Sequence, residues 1–180
     1  MRLSTREQLA AALKTTRART LGIFDQLTAA QMAVPYLAIV NLPLWEVGHL
    51  AWFQEYWCLR QAERPSDFLA VRGSLLDEAD RLFDSNLVAH RSRWTLTLPT
   101  VSQIKNYLNL TLEASLEKLA RCANNDAELY FHRLCLYHEY MHVEALIYTC
   151  QTLGYPLEGI ACELGLPFEK ERLRRFAPSS

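Results

Sequence analysis

The chain reads as an all-α protein, a four-helix bundle with a long crossover between its second and third helices. Three observations predict this. Residues 4–29, 42–62, 101–123 and 126–153 each carry apolar side chains at helical spacing. Capping residues, prolines and a glycine punctuate these segments where helices start and stop. The first and second segments, and the third and fourth, are joined by short connections, whereas the second and third are separated by a long one. The bundle occupies residues 1–156, and residues 157–180 form a tail with a short helix expected around Pro167–Phe176.

In the first helix, Ser4 and Glu7 form a capping box, each taking a backbone N–H of the first turn. Leu9, Leu13, Thr16, Thr20, Ile23, Phe24 and Leu27 make the inward stripe, with Lys14, Arg17 and Asp25 on the opposite face. The second helix is capped by Asn41 and starts on Pro43, whose fixed φ suits a first turn. Its stripe is Trp45, His49, Trp52, Phe53, Tyr56 and Leu59. Gly48 sits inside it at a cost of about 1 kcal/mol relative to alanine, which is the mark of a close approach by another element or a ligand.

Residues 63–100 are the least regular. Pro65 breaks the helix, Ser74–Ser85 supports a short one, and Asn86–Thr100 reads as an ordered loop across one end of the bundle. Within it only Trp94–Leu98 leans toward a strand. Loops of this length in compact domains are often functional. The third helix is capped by Thr100 or Ser102 and turns Ile104, Tyr107, Leu108, Thr111, Ser115 and Leu119 inward. Asn124–Asp126 is a turn, with Asp126 capping the fourth helix. That helix carries Phe131, Leu134, Cys135, His138, Met141, His142, Ala145, Tyr148 and Thr149 on its stripe, then stops at Gly154 and Pro156.

Composition narrows the function. Half of the 180 residues are hydrophobic, 22% are charged, and the net charge is −1. No electrostatic case exists for nucleic acid or an anionic membrane as partner. The N-terminus has no apolar run of a signal peptide, and no stretch is long enough for a membrane span. The five cysteines (Cys58, Cys122, Cys135, Cys150, Cys162) form no C-x-x-C and read as small apolar fillers, a pattern that suits a reducing cytoplasm. No glycine-rich phosphate loop occurs, and Cys135, inside a helix, lacks the setting of a reactive nucleophile.

The chemistry concentrates in His138-Glu139-Tyr140-Met141-His142. On a helix, four residues advance about 6 Å and drift about 40°, so both imidazoles leave one face. His49 lies on the stripe of the second helix. Three inward imidazoles suit Zn²⁺, Fe²⁺, Ni²⁺ or Cu²⁺, and three protein ligands leave positions open to water or substrate. Glu46 and Glu139 are candidates to orient a ligand ring through its other N–H. The competing reading is a histidine core satisfied by Tyr56, Tyr137 and Tyr140. His90 and His132 are expected on a loop and a helix surface. The same letters match the H-E-x-x-H of zinc proteases, with Glu139 as base and Glu158 or Glu163 as third ligand. The scarcity of strand for a substrate to pair with argues against that.

Two segments resemble a known family. Leu44-Trp45-Glu46-Val47-Gly48-His49-Leu50-Ala51-Trp52-Phe53-Gln54-Glu55 is similar to the W-x-x-G-H-x-x-W-F-x-E segment of DinB-like domains, closest to those that begin the ergothioneine sulfoxide synthases and selenoneine synthases. His138-Glu139-x-Met141-His142-x-Glu144-Ala145-Leu146, with Tyr148 and Gln151-Thr152-Leu153-Gly154-Tyr155-Pro156, resembles the second histidine segment of that group. The resemblance covers about residues 5–156. It implies a DinB-type bundle in which His49, His138 and His142 hold a mononuclear iron(II), with zinc or nickel as alternatives. It also implies O₂-dependent joining of a sulfur or selenium donor to an imidazole substrate. His90-Arg91-Ser92-Arg93-Trp94 looks like the family's basic segment, which makes Arg91 and Arg93 candidate substrate-binding residues. Such synthases carry a second domain resembling the formylglycine-generating enzyme. The chain as given stops at Ser180 without that half, and three expectations stand side by side: a stand-alone module, a chain that acts with a partner protein carrying the missing half, and a truncated copy. Other single-domain DinB-like proteins are thiol-dependent transferases and isomerases with a similar zinc or nickel site, often homodimeric. A non-enzymatic partner module is the remaining reading.

Overall fold

A computed structural model describes residues 5–61 and 73–156. These residues form helices joined by turns and irregular segments: α1 (Arg6–Phe24), α2 (Ala29–Met32), α3 (Pro43–Gln54), α4 (Ala79–Phe83), α5 (Val101–Leu119) and α6 (Asp126–Thr152). The axis of α3 continues as a π-helical segment, Glu55–Gln61. A 3₁₀ segment spans His90–Thr95. Helix α6 packs against α1 and α3, and α3 against α5, so the four long helices close on one another as expected. No described helix is long and apolar enough to cross a membrane.

The α1 stripe is buried from Leu9 to Leu27, and the α5 stripe from Ile104 to Leu119, as periodicity predicts. Several local readings are corrected. Thr5 caps α1, accepting from the Gln8 N–H, while Glu7 pairs with Arg6 Nε at 2.7 Å; Ser4 lies outside the described residues. The first helix stops at Phe24, because Thr28 and Gln31 build their own capping box around α2. Leu42, with no side-chain cap, precedes α3, since Asn41 is engaged by Arg93. Asn125 rather than Asp126 caps α6, accepting from the Glu128 N–H, and Gly154 ends the segment at φ +69°. Trp94 belongs to the 3₁₀ segment and no strand forms there. Pro65 and the tail helix around Pro167–Phe176 lie outside the described residues.

Two corrections concern charge. Arg17, placed on the outer face by its polarity, is 2% exposed. Its Nε and Nη2 reach Glu139 Oε1 and Oε2 at 2.8 and 3.1 Å, Nη2 also reaches Gln54 Oε1 at 2.8 Å, and Nη1 reaches the Leu108 carbonyl at 2.5 Å. Thr20 Oγ1 donates to Glu139 at 2.8 Å. One guanidinium on α1 thus ties α3, α5 and α6 together. With Glu139 turned inward, the buried face of α6 is Leu129, His132, Cys135, Leu136, Glu139, Val143, Leu146, Thr149 and Cys150. Met141 (60% exposed) and Tyr148 (43%) face outward, and His138 and His142 stand on the shoulder between the two faces.

The crossover is pinned to α3 by buried polar contacts. Trp45 Nε1 donates to the Leu82 carbonyl at 2.8 Å, and Trp52 Nε1 to Asp80 at 2.6 Å. Glu55, fully buried, accepts from Tyr107 Oη and Ser74 Oγ at 2.5 Å and from the Leu75 N–H at 2.7 Å. Burial, and then the Glu55 charge, pushes the Tyr107 hydroxyl far above its ordinary value, so it stays a donor. A Cβ on Gly48 would fall within the ring of Phe83, so the glycine is what lets α4 lie directly on α3.

Candidate metal centre

His49 rises from α3 under the end of the crossover. Its Nδ1 donates to the Phe83 carbonyl at 2.8 Å, and its ring stacks on Trp45 at 5.0 Å with 7° between planes. A carbonyl can only accept, so Nδ1 carries the proton and Nε2 keeps its lone pair. His142 is set the same way by a different group: its Nδ1 lies 2.5 Å from Glu46 Oε1. His138 is held by stacking on Phe53, with centroids 3.5 Å apart.

The consequence is convergence. One ring nitrogen from each of His49, His138 and His142 falls within 4.8 Å of the others. Nε2 of His138 and Nε2 of His142 are 3.1 Å apart. Burial first, then the His142 charge, pushes His49 down to about 4; burial first, then His142 and His49, pushes His138 down to about 2. Both rings are therefore neutral near pH 7 and can offer lone pairs. Facing lone pairs repel, and a shared proton or a cation relieves that repulsion. A separation of 3.1 Å matches neighbouring imidazole ligands on one ion at about 2.1 Å each. The residues present therefore fit a mononuclear metal.

The remaining predicted site residues divide. Glu46 is buried beside the cluster and touches His142, and its Oε2 has no hydrogen-bond partner among the described residues. Glu139 touches none of the three histidines: Arg17 and Thr20 hold it inside the bundle, where it can neither orient a ligand ring nor act as a protease base. Glu158 and Glu163 lie outside the described residues. Arg93 stacks over Trp45 at 3.6 Å and donates Nη1 to Asn41 at 2.6 Å, while its buried Nε has no hydrogen-bond partner among the described residues. Arg91 is exposed and lies over the Tyr36 ring at 5.2 Å.

His90 is not a free loop residue, since its Nε2 meets the Val40 carbonyl at 2.7 Å. His132 is not on the surface: it is buried against the Ser115 carbonyl at 3.1 Å, and burial lowers its pKa. What the sequence did not reveal is the Phe83 carbonyl, because no side-chain identity encodes it. The Arg17–Glu139 pair is not legible in the sequence because polarity places Arg17 on the outer face and spacing directs Glu139 to a ligand ring. Its one signal was the position of Arg17 one residue after Thr16 and three before Thr20, on the edge of the stripe.

Comparison with known proteins agrees with this geometry. The family described as the DinB superfamily matches residues 12–150. A hercynine oxygenase of Mycobacterium tuberculosis is 26% identical over 166 residues, covering 92% of this chain and 37% of that protein. A hercynine oxygenase of Mycolicibacterium thermoresistibile is 27% identical over 156 residues, covering 86% of this chain and 33% of that protein. The chain thus spans about a third of the length of these curated relatives.

Proposed function

The chain belongs to the DinB superfamily, and from that membership we propose that it is a metal-binding domain of the hercynine-oxygenase type, loaded with iron(II) through His49, His138 and His142. The observation that carries this is the convergence of one nitrogen from each histidine within 4.8 Å, two of them oriented through their Nδ1 atoms. Iron(II), when bound, supplies one-electron and O₂ chemistry at positions the protein leaves open.

The chain's own residues prepare the site. The Phe83 carbonyl and the Glu46 carboxylate fix the tautomers of His49 and His142, so both Nε2 atoms face inward. Trp45 and Phe53 cover ring faces and keep water from them. Arg93, desolvated and with no hydrogen-bond partner for its Nε among the described residues, receives an anionic group of a thiol or imidazole substrate, and Arg91 supports it from the rim. The remainder of the pocket comes from a formylglycine-generating-enzyme-like polypeptide. A thiol-dependent transferase using zinc or nickel at the same histidines is the second reading; Arg93, whose Nε has no hydrogen-bond partner among the described residues, serves an acidic thiol equally well.

Metal analysis of untagged protein tests the reading. About one equivalent of iron after anaerobic reconstitution is expected, with loss in His138→Ala. A wild-type chain that retains no divalent metal would overturn it. Thiol-conjugate turnover under strict exclusion of O₂ would favour the transferase.

A further inference from the structure

Cys58 and Cys135 bring their sulfurs within 3.5 Å of each other inside the bundle, one on the π-helical segment and one on α6. Both are buried and reduced. The Cys58 thiol points at Cys135 Sγ, and the Cys135 thiol reaches the Phe53 carbonyl at 4.0 Å. An apolar filler role needs no such pairing of sulfurs from segments 77 residues apart. Cys135 also precedes His138 by one helical turn, and Phe53 stacks on His138 at 3.5 Å.

We propose that Cys58 and Cys135 are an oxidation site that closes to an intramolecular disulfide, and that its closure is transmitted through Phe53 to the ring of His138. The oxidant is hydrogen peroxide. One thiol is oxidised to a sulfenic acid, S–H giving S–OH as peroxide is reduced to water. The second sulfur then attacks the first, the S–S bond forms, the S–O bond breaks, and a second water leaves with the thiol proton. Two electrons pass from the sulfur pair to one peroxide. Bonding needs an approach from 3.5 Å to about 2.05 Å, a movement of side chains and of the wider π turn rather than of a whole helix. Proximity governs the outcome, because a sulfenic acid with a thiol in contact is trapped before it is oxidised further. Burial pushes the Cys135 thiol well above its ordinary value, so the first step is slow.

The test is peptide mapping under non-reducing conditions after peroxide treatment of the metal-free full chain, folded and in denaturant. The folded chain is expected to give one reversible cross-link, Cys58 to Cys135, with a loss of two hydrogens. The denatured chain should spread its links over the pairs that five cysteines allow. Cys122, half-exposed, is the internal control: oxidation of Cys122 while both Cys58 and Cys135 stay free thiols overturns the proposal. So does conversion of the pair to sulfinic acids. Cys58→Ser and Cys135→Ser should each abolish the link and Cys122→Ser should retain it; the wild-type map decides even where a variant fails to fold. In the same sample the His138 imidazole resonances should move on cross-linking and return on reduction, and unmoved resonances sink the transmission. No metal is present in this experiment, so its result is independent of whether the histidines bind one.

Discussion

Phe83 occupies the space where a side chain on Gly48 would stand, and the carbonyl of the same residue holds His49. A methyl group at position 48 therefore acts on two things at once. Gly48→Ala gains about 1 kcal/mol of helix propensity but forces the Phe83 ring away, an overpacking cost of about 1–3 kcal/mol. The expected net is a loss of stability in urea unfolding, with metal affinity reduced as His49 loses its acceptor. Gly48→Ala combined with Phe83→Leu should recover part of both. A single Gly48→Ala variant as stable and as tightly metal-binding as the wild type would show that the contact is slack.

The Arg17–Glu139 pair makes a sharper stability prediction. Removing one partner leaves the other buried and uncompensated, which costs about 3–5 kcal/mol. Arg17→Met and Glu139→Leu singly should each approach that loss, whereas the double variant should fall within about 1 kcal/mol of wild type. Urea midpoints on all four proteins form a double-mutant cycle, and additivity of the two single losses would contradict the pairing.

Glu46 differs in consequence from Glu139. It is buried beside His142 rather than within the tie, so Glu46→Ala is expected to lower affinity for a divalent metal about 10–100-fold. Glu46→Gln should lie between it and wild type, since an amide oxygen still accepts from Nδ1. Titration with cobalt(II), checked against far-UV circular dichroism, separates loss of orientation from loss of fold.

Acid should expose the pair Arg60–Asp80. Two guanidinium contacts at 2.7 Å, aided by the Trp52 indole, hold the Asp80 carboxyl below its ordinary value against the opposing effect of partial burial. A depressed carboxyl contributes stability that is present above the unfolded pKa, about 3.9, and is lost as pH falls through the lower native value. Asp80→Asn should therefore be less stable than wild type at pH 7, with the gap closing below about pH 4. Urea midpoints measured from pH 7 to pH 2 decide this, and a gap independent of pH would place the contribution elsewhere.

The legible and illegible parts of this protein separate by physical cause. Helical periodicity located all four long helices, because burying an apolar stripe is what those helices are for. It also put His49, His138 and His142 near one another, since stripes that face a common core must meet. It erred by about one position around α6, where it counts Met141 and Tyr148 as core and leaves Glu139 off the stripe, free to orient a ligand ring. A carboxylate matched by a guanidinium from another helix is welcome inside, but the match is a tertiary fact that no local window contains. The π-helical segment is not legible for a similar reason: Glu55, on which it starts, is held by Ser74, Leu75 and Tyr107, residues remote in sequence. Gly48 was legible as a point of close approach, and the approaching element is Phe83.

The two oriented histidines also differ in what a mutation can do to them. His142 depends on the identity of residue 46, and one codon change removes its acceptor. His49 leans on a main-chain oxygen, which every amino acid at position 83 would supply. The second arrangement is inherited through the path of the chain and not through any letter. Drift at position 83 is therefore restrained by the packing of a fully buried ring, against Gly48 among others, and not by the carbonyl that holds His49.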